Sequence, residues 1–264
     1  MYTMRNKICR LFVAAALCGA ALLVSCSDGS TPKPKTAAVP TDTLLLPLAG
    51  DSTIYGLACD GSNDTLLIIL NIDSIGHTGS DDPDTFFILN ATKHHRVYGR
   101  TRIGDHVAVV RSATRPDEAD IVIVTEDLMQ PWRFLQFPQL KERVGMTGRE
   151  QMNEMPDSIR QQLATPREVG YTLKADRTVS ISGVYRLQTT IDDDPIVYPE
   201  MKHYHYWHLL NGEIVLTETR FDSTGTARVT SRDTASLVLL RPDSLVLRFA
   251  DGLKSFYCKM PEDE

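Results

Sequence analysis

Between residues 171 and 259 the chain is a succession of strand–turn–strand patterns. Runs of β-branched, aliphatic and aromatic residues are separated by turn residues at Ala175–Asp176, Asn211–Gly212, Arg241–Ser244 and Asp251–Gly252. An Asn-Gly pair between two apolar runs is the strongest short-range signal of a two-residue hairpin turn. Consecutive hairpins without an intervening helix predict an antiparallel meander, and its closure into an up-and-down barrel would protect the outer strand edges.

The first half of the chain is also rich in strand signals. From Thr43 to Asp127, apolar runs such as "DTLLIILNID", "DHVAVVRS" and "ADIVIVTED" are separated by Gly, Asp, Asn and Pro. This rhythm breaks at "DLMQPW", residues 127–132. We therefore predict an N-terminal β domain over residues 42–128 and a C-terminal β domain over residues 129–264.

One segment, residues 137–168, has helical periodicity. Apolar residues recur every three or four positions at Met152, Met155, Ile159 and Leu163. Pro156 and Asp157 suit a first helical turn, and Pro166 would end the helix. Two interpretations stay open: the helix packs against the barrel as ordinary core, or Met146, Met152 and Met155 form an adaptable lid over an apolar cavity.

The N-terminus has the pattern of a lipoprotein signal. Arg5, Lys7 and Arg10 precede the apolar run "LFVAAALCGAALLV", which is shorter than a membrane-spanning helix of about 20 residues. The run ends in "LVSC", which resembles a bacterial lipobox. We therefore predict a signal peptide over residues 1–25, lipidation of Cys26, and a Ser/Thr/Pro/Ala-rich tether over residues 26–41. Ser27, a residue other than Asp after the cysteine, favours the outer membrane.

The charge of the chain argues against a nucleic-acid partner, and its few cysteines cannot form a disulfide framework. Removal of the signal peptide lowers the net charge from −6 to −9, because the peptide carries three basic residues and no acidic ones. Without a basic stripe, we expect no nucleic-acid partner. Only Cys59 and Cys258 remain in the body of the protein. A disulfide between them is permitted outside the cytoplasm, but we expect free buried thiols.

Parts of both halves of the chain resemble known families. The C-terminal half resembles the lipocalin-like domains of lipoproteins from Bacteroides-type bacteria. The resemblance rests on Trp132 and on the stretches "YTLKADRTVSISGVY", "YWHLLNGEIVLTE" and "LVLLRPDSLVLRFADGLKSFYCK". Those families read Gly-x-Trp where this chain has Gln130-Pro131-Trp132. "HRVYGRTRIGDHVAVV" is similar to a small barrel of the OB kind. The resemblance implies an all-β fold, in which a small OB-like barrel precedes a lipocalin-like antiparallel barrel with one helical insertion.

Two motifs point to chemistry that the rest of the chain does not support. Gly50-Asp51-Ser52 is similar to the nucleophile motif of GDS-type esterases, but a strand-like run follows it and no Asp-x-x-His supplies a base. The acidic loops at Ser80–Asp84 and Asp192–Pro195 lack the alternating ligands and the glycine of a calcium-binding loop. We therefore expect no catalytic residues, no metal and no cofactor.

The predicted strand ahead of the Asn211–Gly212 turn contains three histidines, His203, His205 and His208. Zinc sites need three or four ligands, but successive strand residues point to opposite faces, which separates His208 from the other two. A two-residue turn pairs Trp207 with Leu216, His205 with Glu218 and His203 with Arg220.

We therefore predict a ligand site with a polar mouth and an apolar floor. Its residues are His203, His205, Trp207, Leu216, Glu218 and Arg220, with Met152 and Met155 as lid. In the last hairpin, a tight Asp251–Gly252 turn would pair Leu247 with Phe256 and Leu245 with Cys258, which extends the apolar wall.

The expected protein is a non-enzymatic lipoprotein of the cell envelope. Its partners would be the membrane through the lipid anchor, a small amphipathic or hydrophobic ligand, and other envelope proteins. The face of the outer membrane that it occupies, periplasmic or external, stays open. The alternative is a structural or accessory subunit with filled barrels, in which an exposed apolar patch replaces the cavity.

Overall fold

The computed structural model describes residues 48–72, 78–141, 145–183, 195–223 and 227–258. The predicted signal peptide, Cys26, the tether and Asp192–Asp194 lie outside these ranges. The strands are β1 Thr53–Ala58, β2 Leu66–Ile72, β3 Thr78–Phe87, β4 Val97–Tyr98, β5 His106–Arg111, β6 Ala119–Val124, β7 Pro131–Gln136, β8 Gln139–Leu140, β9 Arg167–Leu173, β10 Val179–Gly183, β11 Ile196–Val197, β12 Tyr206–Leu210, β13 Glu213–Phe221, β14 Ala227–Leu240, β15 Ser244–Phe249 and β16 Gly252–Tyr257. The helices are α1 Leu89–Lys93, α2 Thr125–Leu128, α3 Gly148–Glu154 and α4 Asp157–Ala164. The fold is all-β, as predicted.

Eight strands form a nearly closed antiparallel barrel. Their order is β10-β9-β7-β16-β15-β14-β13-β12, and the two outer strands meet at an isolated antiparallel bridge between Thr178 and Tyr206. Beside this bridge the Val179 N–H donates to the His205 carbonyl over 2.8 Å. The antiparallel barrel predicted from the hairpin patterns is thereby confirmed.

The β12–β13 hairpin has the predicted turn and register. Asn211 and Gly212 have φ angles of 51° and 89°, which is the left-handed geometry that a two-residue hairpin turn requires. Trp207 pairs with Leu216. The ladder begins at Tyr206, so the predicted pairs of the two preceding histidines with β13 do not form part of it.

The predicted register of the last hairpin is wrong by two residues. Leu245 pairs with Phe256 rather than with Cys258, because Gly252 already belongs to β16 and pairs with Phe249. A displacement of two residues keeps every side chain on its predicted face. Accordingly, Leu245 and Phe256 are both buried.

The predicted helical segment consists of two short helices. α3 opens with a capping box, in which the Glu150 N–H donates to the Thr147 hydroxyl and the Thr147 N–H donates to the Glu150 carboxylate. Pro156 stands between α3 and α4 and serves as the N-cap of α4, because proline lacks the N–H that would continue the first helix. Within the described ranges, no helix combines the length and apolar character needed to cross a membrane.

The remaining long strands form a six-stranded sheet in the order β3-β2-β1-β5-β6-β4. Its neighbours pair antiparallel except β4 and β6, which are parallel. The sheet curls, because Phe87 at the end of β3 forms a parallel bridge with Glu118 just ahead of β6. Residues 80–84, predicted to be an acidic loop, lie within β3, where Asp84 pairs with Ile69 and accepts a hydrogen bond from Asn71.

The two sheets belong to one compact unit and share part of their cores. In β5 and β6, Val107 and Val122 point into the core of the six-stranded sheet, whereas Ala108 and Ile123 join the core of the barrel. Burial on both faces explains why "HVAVV" and "DIVIV" are continuous apolar runs instead of alternating ones.

The tip of the β12–β13 hairpin is fixed to the start of the six-stranded sheet. The Asn211 Oδ1 accepts hydrogen bonds from the Ser52 N–H at 2.9 Å and from the Ser52 hydroxyl at 2.7 Å. The Asn211 Nδ2 donates to the Gly50 carbonyl at 3.1 Å, and its backbone N–H donates to Asp51 at 3.1 Å. We call Gly50–Ser52 with Asn211 the hairpin clamp.

A half-buried cation, Arg177, lies beside the clamp. The Arg177 guanidinium lies 4.5 Å from the Trp207 ring centroid and 5.1 Å from that of Tyr55 in β1. Burial lowers the pKa of Arg177, opposed by the charges of Tyr55 and Asp51. Burial also raises the pKa of Tyr55 to about 12, opposed by Arg177. Cation–π contacts of a desolvated arginine stabilise such a junction.

Candidate functional site

The barrel contains a cavity of about 340 Å³. Its apolar wall comprises Trp132 and Phe134 of β7, Leu173 of β9, Ile214 and Leu216 of β13, Leu245 and Leu247 of β15, and Phe256 of β16. The rings of Phe134 and Phe256 pack edge to face, with centroids 5.5 Å apart. This volume is at the lower end of the range typical of small-molecule sites, about 300–1,000 Å³.

The cavity and the six-stranded sheet lie at opposite ends of the barrel. The turn at Asn211–Gly212 contacts the six-stranded sheet, where a side chain on Gly212 would meet Ile121. The cavity is bordered instead by Asp251 in the β15–β16 turn and by Gln136 at the end of β7. In an antiparallel barrel these positions belong to the other end, so the sheet leaves the cavity mouth uncovered.

Residues 198–205, which we call the mouth segment, lie across this mouth. The Gln136 amide donates to the Pro199 carbonyl at 2.7 Å, and the Tyr171 hydroxyl donates to the Lys202 carbonyl at 2.9 Å. The Arg167 guanidinium lies 4.0 Å from the centroid of the Tyr198 ring. Because strands β7 and β9 supply all three contacts, the rigid barrel wall positions the mouth segment.

Asp233 of β14 fixes the other end of the mouth segment. Its Oδ2 lies 2.5 Å from the Lys202 ammonium and accepts a hydrogen bond from the Tyr204 hydroxyl. Burial alone would raise the pKa of Asp233, but the hydrogen bonds from Lys202 and Tyr204 outweigh burial and hold that pKa below its ordinary value. Burial and the bond to Asp233 raise the pKa of Tyr204. At neutral pH Asp233 is therefore an ionised carboxylate and Tyr204 is a protonated phenol.

The rim of the cavity carries charges of both signs. Besides Lys202, it includes Glu200 and an ion pair in which Lys254 lies 2.9 Å from Asp251. The Lys254 ammonium also lies 4.7 Å from the centroid of the Phe249 ring. An apolar interior under a charged rim matches a molecule with an apolar body and a polar head.

Two of the predicted site residues lie in the barrel core. Leu216 lines the cavity. Trp207 is completely buried in the same core cluster but is absent from the cavity wall. Its indole N–H donates to the Lys174 carbonyl at 2.8 Å, and its ring faces Arg177. Trp207 therefore lies at the junction with the six-stranded sheet.

The predicted polar group does not line the cavity. His203 and Arg220 are exposed, the His205 Nδ1 accepts a hydrogen bond from the Thr219 N–H, and Glu218 accepts one from the Ser231 hydroxyl. The mouth segment ends before β12 begins at Tyr206 and is not itself a strand. The alternation of side chains along a strand therefore does not determine the direction of His203 and His205. Asp233, to which the mouth segment is attached, pairs with Leu216 of β13. Glu218 and Arg220 follow Leu216 along β13, farther from the hairpin turn, and neither belongs to the described cavity lining.

The predicted lid methionines, Met146, Met152 and Met155, lie away from the cavity. Met152 is 45% exposed on α3. Met155 lines a separate small cavity of about 120 Å³ with Met146, Ile159 and Pro195. Among the described residues, the wall of the 340 Å³ cavity includes none from α3 or α4.

Several site residues were not identified from the sequence. Trp132, Phe134 and Gln136 alternate along β7, and Tyr171 and Leu173 alternate along β9, so all five face the interior. The period of two in "WRFLQ" and "YTL" was the available signal. No comparable pattern marks Lys202, Tyr204 or Asp233, because a non-repetitive segment brings them together.

The motifs that pointed to enzyme or metal chemistry have structural partners here. Ser52 belongs to the hairpin clamp, and its hydroxyl donates to Asn211. Cys59, which is half-buried, and Cys258, which is buried, form no disulfide with each other. The Cys258 thiol lies 3.6 Å from the Gln130 side-chain oxygen, and burial raises its pKa. Over the described ranges, no group of three or more His, Cys, Asp or Glu residues is arranged to hold a metal ion.

The fold and the site define a class: an antiparallel β-barrel with an apolar cavity beneath a charged rim. No protein-family model matches the chain, and neither does any curated protein or any solved structure. A function is therefore inferred from the cavity, its rim and the sequence signals.

Proposed function

We propose that this protein is a non-enzymatic lipoprotein of the cell envelope whose lipocalin-like barrel binds a small amphipathic or hydrophobic molecule. The cavity of about 340 Å³ is the observation that carries the proposal. The apolar part of the ligand would lie against Leu216, Leu247 and Phe256, and its polar part would face the rim. Burial of apolar ligand surface would supply about 25 cal/mol per Å².

The envelope location is proposed from the N-terminal sequence. The basic residues, the apolar run and "LVSC" support lipidation of Cys26 and anchoring in the outer membrane. The lipobox resemblance implies a diacylglyceryl group on Cys26, and two acyl chains hold a protein stably at a membrane, whereas one does not. The lipocalin-like resemblance of the C-terminal strands supports membership among lipoproteins of the Bacteroides type.

We further infer that the six-stranded sheet is an OB-like barrel. The supporting topology is a three-stranded meander, β1 to β3, followed by α1 and then the antiparallel pair β5–β6. β5 pairs with β1, and the bridge between Phe87 and Glu118 brings β3 beside β6 in parallel. This topology supports the proposal of a partly open, five-stranded barrel of the OB kind.

The proposal is tested on protein purified from its own envelope. Peptide mass spectrometry is expected to find a lipidated N-terminus at Cys26, and native mass spectrometry is expected to find a co-purifying small molecule. Leu247→Trp would fill the cavity and abolish the co-purified mass, because Leu247 lines it. Val246→Trp adds the same side chain on the outer face of the same strand, so it should retain the ligand.

Two results would contradict the proposal. An unmodified N-terminus would remove the lipid anchor. A folded wild-type protein that carries no small molecule, and that binds added dodecanoate no better than Leu247→Trp does, would favour the accessory subunit with a structural barrel.

A further inference from the structure

A second cavity lies at the junction between the six-stranded sheet and the barrel, away from the proposed ligand site. It measures about 390 Å³. One side is formed by the segment from Thr92 to Arg100, and the other by β14 and the turn after it, from Val238 to Pro242. We call this cavity the junction groove.

The groove is basic although the chain is acidic. Among the residues that the structure describes, its lining includes Arg100, Arg241 and His95 and no carboxylate, whereas the whole chain carries 34 acidic against 28 basic residues. Both arginines are exposed, and neither guanidinium has an ion pair or a hydrogen bond within the described ranges. Water can accept the hydrogen bonds of a single exposed guanidinium. Two guanidinium groups without ion pairs in one groove, however, create a positive electrostatic potential there.

Each arginine extends from a fixed piece of backbone. The Arg100 N–H donates to the buried Asp127 carboxylate at 2.8 Å. Gly99 precedes it with a φ of 89°, and a side chain there would come within 2.7 Å of the same carboxylate. On the barrel side, Arg241 and Ser244 exchange two backbone hydrogen bonds across a tight turn. The backbone of each arginine is therefore fixed, while its guanidinium group has no protein partner within the described ranges.

The groove also has an apolar wall. Tyr98 and Val97 of β4 face Val238, Leu239 and Leu240 of β14 across it. An oxyanion that carries a small organic group would therefore find charge at one side and apolar surface at the other. The buried Asp127 carboxylate accepts the hydrogen bond from the Arg100 N–H and does not belong to the described lining of the groove.

We propose that the junction groove binds a phosphate group. Arginine forms paired hydrogen bonds to phosphate oxygens, and two guanidinium groups match the charge of a phosphate monoester better than that of a single carboxylate. The phosphate could belong to a soluble organic phosphate or to a lipid headgroup, since the recognising chemistry is the same.

The test uses isothermal titration calorimetry of full-length protein with phenyl phosphate. We expect saturable binding that weakens as salt increases. Arg100→Gln and Arg241→Gln should each reduce affinity by about tenfold or more, because each removes a charge-assisted contact. Arg232→Gln, an equally exposed arginine on β14 outside the groove, should leave affinity unchanged. Thermal melting confirms that the variants fold.

Benzoate and vesicles separate the remaining possibilities. Benzoate should bind at least about tenfold more weakly than phenyl phosphate, since a carboxylate has less charge and fewer acceptors. Competition by phosphatidylcholine vesicles that contain phosphatidic acid would assign the phosphate to a headgroup, and absence of competition would assign it to a soluble molecule. Absent binding, equal binding of benzoate, or unchanged binding by the folded arginine variants would overturn the proposal.

Discussion

Ser52 and Asn211 show how one side chain can connect distant parts of this protein. Asn211 accepts two hydrogen bonds from Ser52 and donates one to Gly50, across 159 to 161 positions in the chain. Its φ of 51° also makes it one of few non-glycine residues in a left-handed conformation. Asparagine tolerates this conformation, so the same residue makes the turn and the contact.

We predict that Asn211→Gly destabilises the protein by about 1–2 kcal/mol. Glycine keeps the left-handed turn, so the loss reports the side-chain hydrogen bonds, each of which contributes about 0.5–1.5 kcal/mol at most in this exposed place. Urea unfolding followed by tryptophan fluorescence measures the change. Ser52→Ala removes only the hydroxyl donor and should cost less. Equal stability of Asn211→Gly and wild type would show that the side-chain hydrogen bonds of Asn211 contribute nothing.

At this scale the sequence predicts local geometry but not distant partners. The Asn211–Gly212 turn follows from two adjacent residues whose conformational preferences are strong. The partnership with Ser52 has no local signature, and the likeness of Gly50-Asp51-Ser52 to an esterase motif pointed elsewhere. Lys202, Tyr204 and Asp233 escape prediction for the same reason, because the mouth segment has no period that fixes where its side chains lie.

At the scale of elements, β7 and β9 approach each other unusually closely at Gly170. A side chain at Gly170 would come within 1.9 Å of the Trp132 carbonyl oxygen. The Ser182 hydroxyl of β10 reaches across this position and donates to the same oxygen at 3.1 Å. Because Trp132 lines the cavity, this close approach also helps to set the cavity wall.

We predict that Gly170→Ala destabilises the barrel by about 3 kcal/mol. The new methyl group would meet backbone atoms of Trp132 and Arg133, and strands cannot move aside as a flexible side chain would. Gly148→Ala is the control, because open space surrounds Gly148 in α3 and alanine favours helix by up to about 1 kcal/mol. Thermal melting of both variants measures the difference, and a Gly170→Ala protein as stable as wild type would contradict the described approach.

Strand elements were predicted more successfully than their ends. Turn residues and alternating apolar positions gave the β12–β13 register, because both signals agree there. In the last hairpin, Asp251–Gly252 gave a register two residues away from the observed one, since glycine also fits the first position of a strand after the turn. The faces stayed correct because side chains alternate with a period of two.

At the scale of the whole molecule, the two sheets share a core instead of only touching. Ala108 and Ile123 of the six-stranded sheet are buried in the same cluster as Trp207 and Leu209 of the barrel. The continuous apolar runs of β5 and β6 indicated buried strands, but the sequence could not state that the second buried face is covered by the barrel. The identity of a covering surface depends on tertiary contacts that no local pattern records.

This shared core leads us to predict that both sheets unfold in a single transition. Ile69 is completely buried in the separate core of the six-stranded sheet, and Ile69→Ala should destabilise by about 2–4 kcal/mol through the lost burial and the cavity it leaves. Both tryptophans of the chain, Trp132 and Trp207, lie in the barrel. Because Trp207 also lies at the junction with the six-stranded sheet, fluorescence is read in a Trp207→Phe background, where Trp132 of β7 reports unfolding of the barrel.

If the sheets unfold together, Ile69→Ala lowers the urea midpoint seen by tryptophan fluorescence as much as the midpoint seen by far-ultraviolet circular dichroism. Ile103→Ala is the control, because Ile103 is 71% exposed and its loss should change stability by no more than about 0.5 kcal/mol. A fluorescence midpoint that stays at the wild-type value, while circular dichroism shows an earlier transition, would mean that the six-stranded sheet unfolds alone. In that case the core shared through Ala108 and Ile123 would be too weak to couple the sheets, and the junction groove between them would open before the barrel does.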